Sequence, residues 1–373
     1  MIVGTVREIK NEEYRVGLTP EGCHALVVAG HQVLVERGAG AGVLAADDAY
    51  CAAGATVVSN APEVWARANL VVKVKEPLFP EFPLIRDNQT LFTYLHLAAA
   101  PDLTRTLVAS KATAIAYETV QLPDGSLPLL IPMSQIAGRM ATEVGAHYLR
   151  KPGPGRGKLI SGLPGAPAAH VVVLGAGIVA ENAIETAVAL GARITVFDTR
   201  LEKLRLVQQL WPNRTATLMS SPLAIANALA GADILVCAVL VPGASAPKLV
   251  TRQMVRGMGK GAVIVDVSID QGGTCETSRP TTHTDPVYVE EGVVHYCVSN
   301  MPGAVPQTST AALTAATLPY VLKLANMGTR GAVLSDASLA KGVLVSEGHI
   351  TYLALAESLG LPFVRLEEAL PPA

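Results

Sequence analysis

The sequence predicts an α/β protein of two Rossmann-like domains, each a doubly wound, mostly parallel sheet, with an active-site cleft between them. Three observations predict it. Short β-branched runs alternate with helix-like stretches along the whole chain, which implies parallel sheets covered by helices. The length, 373 residues, fits two domains at about 150 residues each. A strand running into a glycine turn and a helix opens the second half.

In the first half, Ile2–Val6, Val33–Val35, Thr56–Val58, Leu70–Val74 and Thr113–Ala116 read as strands, with helices at Glu21–Gly30 and Asp47–Ala53. Lys151-Pro-Gly-Pro-Gly-Arg-Gly157 is the richest Gly/Pro stretch and marks the entry to a second αβ unit. Six regular strands follow: Val171–Leu174, Ile194–Phe197, Thr217–Met219, Ile234–Val239, Val263–Val267 and Val293–Val298. The tail from Thr308 reads as helical and is expected to pack back on the first domain. Domain boundaries are expected at 1–133 plus 306–373 for one domain and 134–305 for the other.

Composition excludes several classes. Lys+Arg 29 against Asp+Glu 31 gives a net charge of −2, without the basic surplus of a nucleic-acid binder. Charged residues make up 16% and hydrophobic ones 50%, so a large core and buried subunit contacts are expected rather than disorder. Gly292–Leu322 carries no charge, but its three prolines and polar residues do not suit a bilayer span. The N-terminus lacks the apolar run of a secretory signal, which implies a cytoplasmic protein. Five cysteines, no two closer than 22 positions, suggest buried free thiols and no disulfide framework.

His170-Val-Val-Val-Leu174 runs into Gly175-Ala-Gly177-Ile178-Val179-Ala180 and then an amphipathic helix. The first glycine permits a tight turn of positive φ. The second lets a pyrophosphate approach the backbone, and the helix N-terminus offers free N–H groups to the phosphates. Ala180 takes the third site, where small size serves helix–strand packing. Asp198 ends the next strand, 23 positions after Gly175, where a carboxylate accepts ribose hydroxyls and repels a 2′-phosphate. NAD is therefore expected over NADP, with Arg200 the nearby group that could meet a 2′-phosphate. The rival cluster Gly38-Ala-Gly40-Ala-Gly42 has the wrong spacing and no following acid, and reads as a turn.

The other domain should supply substrate groups. Lys73 and Lys75 alternate, so both should point to one face of a strand. His96 comes to a strand end in Phe92-Thr-Tyr94-Leu-His96, and Arg15 lies in a polar loop. Arginine forks onto a carboxylate, lysine polarises a carbonyl and histidine moves protons, a set suited to a small carboxylate substrate. Taken singly, a lysine or arginine is more often solvated surface. Asp270 ends Val263–Asp270 on the nucleotide side, with Asp266 deeper on the same face; an Asx turn before Gly272 is the plainer reading.

At these residues the chain resembles the alanine dehydrogenase family, which shares its fold with the first domain of nicotinamide nucleotide transhydrogenase. The resemblance is carried by Arg15-Val-Gly-Leu-Thr-Pro20, Val72-Lys-Val-Lys-Glu-Pro77, Leu91–Ala98, Ala116–Gly125 and Ile131-Pro-Met-Ser134. It continues in Ala238–Gly243, Val265–Gly273 and Ser299-Asn-Met-Pro-Gly303. It implies oxidative deamination of L-alanine by NAD⁺ to pyruvate, ammonium and NADH, and the reverse. It implies that Arg15 and Lys75 bind the substrate carboxylate and carbonyl, that Tyr94 and Met133 line its pocket, and that His96 and Asp270 are the acid/base groups. By the same resemblance, NAD is contacted by Ser134, Gly175, Gly177, Ile178, Val179, Ala180, Asp198, Lys203, Ser220, Val239 and Leu240. Val267, Ser268, Ile269, Arg279, Val298, Ser299, Asn300 and Met301 complete that set. A homohexamer is implied. No metal is carried over, because the acid and histidine of some relatives' metal pair are Lys323 and Met327 here. The alternatives are a transhydrogenase first domain, which needs no amino-acid pocket, and an amino-acid dehydrogenase for a bulkier substrate. No nucleic-acid or membrane partner is expected.

Overall fold

The computed structural model describes residues 1–239 and 246–370. It divides into two compact units, Met1–Met133 with Gly303–Ala373, and Ser134–Pro302.

The first unit begins with β1 (Ile2–Thr5), β2 (Gln32–Glu36), β3 (Thr56–Val58), β4 (Leu70–Val72), β5 (Thr90–Thr93) and β6 (Thr113–Ala116). The second unit holds β7 (His170–Leu174), β8 (Arg193–Asp198), β9 (Thr215–Met219), β10 (Ile234–Cys237), β11 (Val263–Asp266), β12 (Val287–Glu290) and β13 (Val293–Tyr296). The chain then returns to the first unit for β14 (Val343–Ser346) and β15 (His349–Ile350).

The first sheet runs β15-β14-β6-β5-β4-β1-β2-β3, and the second β12-β13-β11-β10-β7-β8-β9. β1 to β6 are mutually parallel, and so are β7 to β11 with β13. Each unit therefore contains the doubly wound order, reversing at β1/β4 in one and at β7/β10 in the other. Such reversals open a crevice at the carboxyl ends of the strands, where these folds take ligands.

Each sheet has one antiparallel edge, which strand–helix alternation does not disclose. β12 pairs antiparallel with β13 through a turn at Glu291 and Gly292, both of positive φ. The tail is helical only over Pro306–Ser335 and three short later segments. It then lays β14 antiparallel on β6 and folds β15 back across Glu347-Gly348, again with positive φ at both residues. Two central residues of positive φ fit a tight hairpin turn.

The strands are apolar because both faces of a parallel sheet are covered. In the first unit Leu34, Val71 and Leu91 pack with the buried Trp65; in the second, Val172, Leu235 and Ile264 pack with Phe197. Each fully buried side chain of this kind contributes about 1.5–3 kcal/mol. Four of the five cysteines are buried, but Cys51 is exposed, contrary to expectation. No helix among the described residues is long and apolar enough to cross a membrane.

Candidate active site

The substrate-side residues gather where β1, β4 and β5 end. Gly17 shows why the Arg15 loop reaches that point: a Cβ there would lie 2.5 Å from the carbonyl oxygen of Val72, so only glycine lets the loop close on the end of β4. Arg15 is buried, 2% exposed, rather than in a solvated loop. Its Nε donates to Glu13 Oε1 at 2.6 Å and one terminal nitrogen donates to Oε2 at 2.5 Å. Glu13 thus occupies one edge of the guanidinium fork and cancels its charge. Another terminal nitrogen lies 3.1 Å from the Met133 sulfur, bringing two of the expected pocket residues together.

β4 ends at Val72, so strand alternation does not govern the two lysines, and they meet different surroundings. Lys73 is buried in an ion-paired triad, its ammonium donating to Glu8 at 3.0 Å and to Glu81 at 2.9 Å. Lys75 is nearly buried, and its ammonium has no hydrogen-bond or ion-pair partner among the described residues. Nζ stands 6.0 Å from the centre of the Tyr94 ring. Burial, and then the positive charges of Arg15 and Lys10, push the Lys75 pKa down. A buried cation with no anion in place is costly, so this ammonium is poised for an anionic ligand.

Tyr94 is 3% exposed and its hydroxyl donates to the carbonyl of Leu129 at 2.6 Å, which fixes the ring. The ring of His96 stacks nearly parallel to it, centroids 6.1 Å apart. His96 has a left-handed backbone, φ 47°, and a half-exposed side chain. Glu118 holds this turn: its carboxylate accepts the N–H groups of Leu95 and His96, the latter at 2.7 Å, and lies 3.8 Å from His96 Nδ1. Sequence reasoning gave no role to Glu8, Glu13, Glu81 or Glu118. Their signal was weak: unassigned acids within or beside the Arg15, Lys75 and Glu118 sequence blocks.

On the nucleotide side, Gly175 has φ 102°. A Cβ there would lie 2.6 Å from the Ala238 carbonyl, whereas one on Gly177 would meet nothing within 4 Å. Gly177 begins helix Ile178–Ala189, and no side chain caps that end. Ala180 is fully buried against the sheet. Asp198 Oδ2 accepts the N–H of Ala176 at 2.9 Å, so the acid at the end of β8 lies against the turn. Its other oxygen accepts the Arg200 N–H, with the Arg200 guanidinium 3.6 Å away. A free helix N-terminus behind an open glycine, with a carboxylate alongside, fits an adenine dinucleotide's pyrophosphate and ribose.

The remaining nucleotide candidates lie in unit two. Ser220 follows β9, Val239 follows β10, Lys203 is in helix Leu201–Leu210, and Ser134 is in helix Ile131–Tyr148. β11 stops at Asp266, and Val267, Ser268, Ile269 and the exposed Asp270 form a 3₁₀ turn, Val267–Gln271. Asp270 is thus carried by a turn beyond the strand, so alternation does not relate it to Asp266. Ser268 donates to the Val239 carbonyl at 2.7 Å. Val298, Ser299, Asn300 and Met301 follow β13, and Asn300 has a left-handed backbone. Arg279 lies over the Tyr288 ring at 3.9 Å. Leu240 lies outside the described residues.

Cys237, Asp266 and Cys275 place their ligand atoms within 4.8 Å of one another. The Asp266 carboxylate already accepts from Ser268, Thr274, Cys275 and Ser278, and its own burial raises its pKa. The Cys237 thiol is pushed well up by its hydrogen bond to Cys275 and by burial. These hydrogen bonds brace the loop that follows β11.

Comparison with known proteins shows the family. The models of the alanine dehydrogenase/PNT N-terminal and C-terminal domains match residues 4–137 and 141–353. The chain belongs to the alanine dehydrogenase/PNT family. It is 51% identical to an alanine dehydrogenase of Methanococcus maripaludis over 99% of this chain and all of the relative. It is 50% identical to that of Bacillus subtilis, over 99% of this chain and 98% of the relative. A solved L-alanine dehydrogenase superposes with a TM-score of 0.94 at 50% identity, covering 96% of this chain and 99% of that one. A transhydrogenase from Sinorhizobium meliloti shares the fold, with a TM-score of 0.81 at 24% identity over 95% of this chain and all of that one.

Proposed function

We propose that this family member is an NAD-dependent L-alanine dehydrogenase, interconverting L-alanine and pyruvate with ammonium. The observation that carries the reading is the buried Lys75 ammonium, unpaired among the described residues, beside Arg15 and the Tyr94 ring. About half of the sequence is shared with alanine dehydrogenases along the whole chain, which favours alanine over other amino acids.

In this reading Arg15 and Lys75 bind the substrate's carboxylate and carbonyl oxygen. The charge of Arg15 is already met by Glu13, so Lys75 supplies the net positive charge. Tyr94 and Met133 would line the pocket and limit the side chain to a small one. The glycine turn and Asp198 would hold NAD, which would supply the hydride acceptor for alanine oxidation and the hydride donor for the reverse reaction. Asp198 would hold the ribose hydroxyls, and the Gly177 turn the pyrophosphate. His96 and Asp270 would take up and return the protons released as amine, imine, carbinolamine and ketone interconvert. Lys75 would stabilise the oxygen of the carbinolamine as charge builds on it. We further propose a cytoplasmic homohexamer; the low charge content favours buried subunit contacts.

The test is purified protein with NAD⁺ and a panel of L-amino acids, followed at 340 nm, with NADP⁺ in parallel. Alanine with NAD⁺ should be the preferred pair. A preference for a bulky amino acid, or no turnover of any, overturns the assignment. Light scattering on the eluted protein checks the hexamer.

A further inference from the structure

The segment bearing Lys75 is irregular chain, yet nearly every backbone polar group in it is taken. Lys73 N–H donates to the Phe92 carbonyl at 3.2 Å, and Tyr94 N–H donates to that of Val74 at 3.3 Å. The Lys73 carbonyl accepts the Tyr117 hydroxyl at 3.0 Å, and the Lys75 carbonyl accepts the Thr93 hydroxyl at 3.0 Å. The N–H groups of Val74 and Lys75 both go to one side-chain atom, Glu8 Oε1, at 2.6 and 3.3 Å.

Glu8 is buried, and its second oxygen is held by Lys73, whose ammonium is shared with Glu81. Glu81 in turn accepts the Leu78 N–H at 2.9 Å, just beyond the Lys75-Glu76-Pro77 turn. One carboxylate thus ties the loop after β1 to two successive peptides after β4. Those peptides set the direction in which the Lys75 side chain leaves the backbone. Without such an acceptor two buried N–H groups would be orphaned, and the chain would have to turn to satisfy them. Among the cations beside Lys75, by contrast, Arg15 and Lys10 are each paired with an acid, Glu13 and Glu76.

We infer that Glu8 is a positioning residue for the reaction, aiming the Lys75 ammonium at the substrate oxygen through the Val74 and Lys75 peptide N–H groups. This rests on the functional reading above. The carboxylate has two separable properties, reach to the peptides and charge opposite Lys73. Glu8→Gln keeps the reach but sets a neutral amide against the Lys73 ammonium. Glu8→Asp keeps the charge but shortens the reach by one methylene.

Positioning therefore predicts opposite orders in two measurements. Glu8→Asp should lower kcat/KM for alanine and pyruvate at least about tenfold, the scale of an ångström-sized misplacement, while keeping the higher melting temperature of the two. Glu8→Gln should melt lower but lose only about threefold in kcat/KM. NADH affinity, read by fluorescence, should stay within about twofold in both. If kcat/KM instead falls in step with melting temperature, or if Glu8→Asp retains parent kcat/KM, the inference is overturned. Should Glu8→Asp be insoluble, Thr93→Val removes the hydroxyl on the Lys75 carbonyl: a rise of about threefold or more in the pyruvate KM supports positioning, and parent KM refutes it. Lys75→Ala, run alongside, separates the two levels. Full alanine turnover in that variant would sink the functional reading itself rather than the role of Glu8.

Discussion

The two units prepare their ligand sites by different means. The first works with side chains: Arg15, Lys73 and the turn before His96 are each gripped by a buried or half-buried glutamate, Glu13 close by in the chain and Glu8 and Glu118 from farther along it. The second works with backbone: Gly175, Gly177 and an uncapped helix end form the nucleotide turn, with one carboxylate beside it. The difference teaches that a site of charged side chains must be propped residue by residue. A site of peptide dipoles comes with the fold.

Substitutions can break or sharpen that contrast. The largest effect should come from the proposed proton-transfer groups, His96 in the first unit and Asp270 in the second. His96→Ala and Asp270→Ala should each lower kcat by about a hundredfold or more with the fold intact, measured by steady-state kinetics and circular dichroism. Next, Glu13→Gln should cost about 3 kcal/mol of unfolding free energy, because it leaves the Arg15 guanidinium buried without its counter-charge. Urea denaturation reads this, and a loss below about 0.5 kcal/mol would show that the prop is dispensable.

The backbone-built site should separate stability from binding. Gly175→Ala, at φ 102° and against the Ala238 carbonyl, should cost about 1–3 kcal/mol of stability. Gly177→Val should melt with the parent but weaken NADH binding about tenfold or more, because its side chain projects only into open space. Equal losses of stability in the two would erase the distinction.

A smaller effect concerns pH. Burial and the neighbouring cations lower the Lys75 pKa, so the ammonium is present at low pH and is lost as pH rises through a value below that of an ordinary lysine. The pyruvate KM should therefore climb on the alkaline side before ordinary lysines titrate, and Lys75→Arg should move that climb upward. At the opposite end of the second sheet, Asp233 is braced by Lys158, Arg156 and the His170 N–H. Burial raises its pKa, but these partners outweigh it and hold it below the usual value. Its contribution is present above the ordinary aspartate pKa and lost as pH falls through the lowered one. Asp233→Asn should flatten the acid limb of the melting temperature against pH.

The same contrast sets what the sequence discloses. The nucleotide turn was legible because strand, glycines, helix and acid follow one another locally, and the spacing itself carries the geometry. The parallel pairing at the centre of both sheets follows from strand–helix alternation, whereas the antiparallel edges do not. The props were not legible: Glu8 reaches partners 65 to 67 residues away, and nothing local marks it as buried. Glu13 is only two residues from Arg15, yet a polar loop reads as solvated until Gly17 is seen pressed on β4. Lys73 and Lys75 do not share a strand face, because β4 stops at Val72. The β14–β15 hairpin was hidden in a tail that opens on a long, largely helical stretch, Pro306–Ser335, with a non-helical kink at Gly328.

The left-handed backbone of His96 has a practical corollary. Glycine is the residue best suited to φ 47°, so His96→Gly should leave the loop relaxed and a solvent-open notch where the ring had been. Free imidazole added to that protein could seat itself against Tyr94 and restore turnover from outside. A saturable return of activity with imidazole, absent in Asp270→Gly, would mark the ring, rather than the turn that bears it, as what the reaction uses.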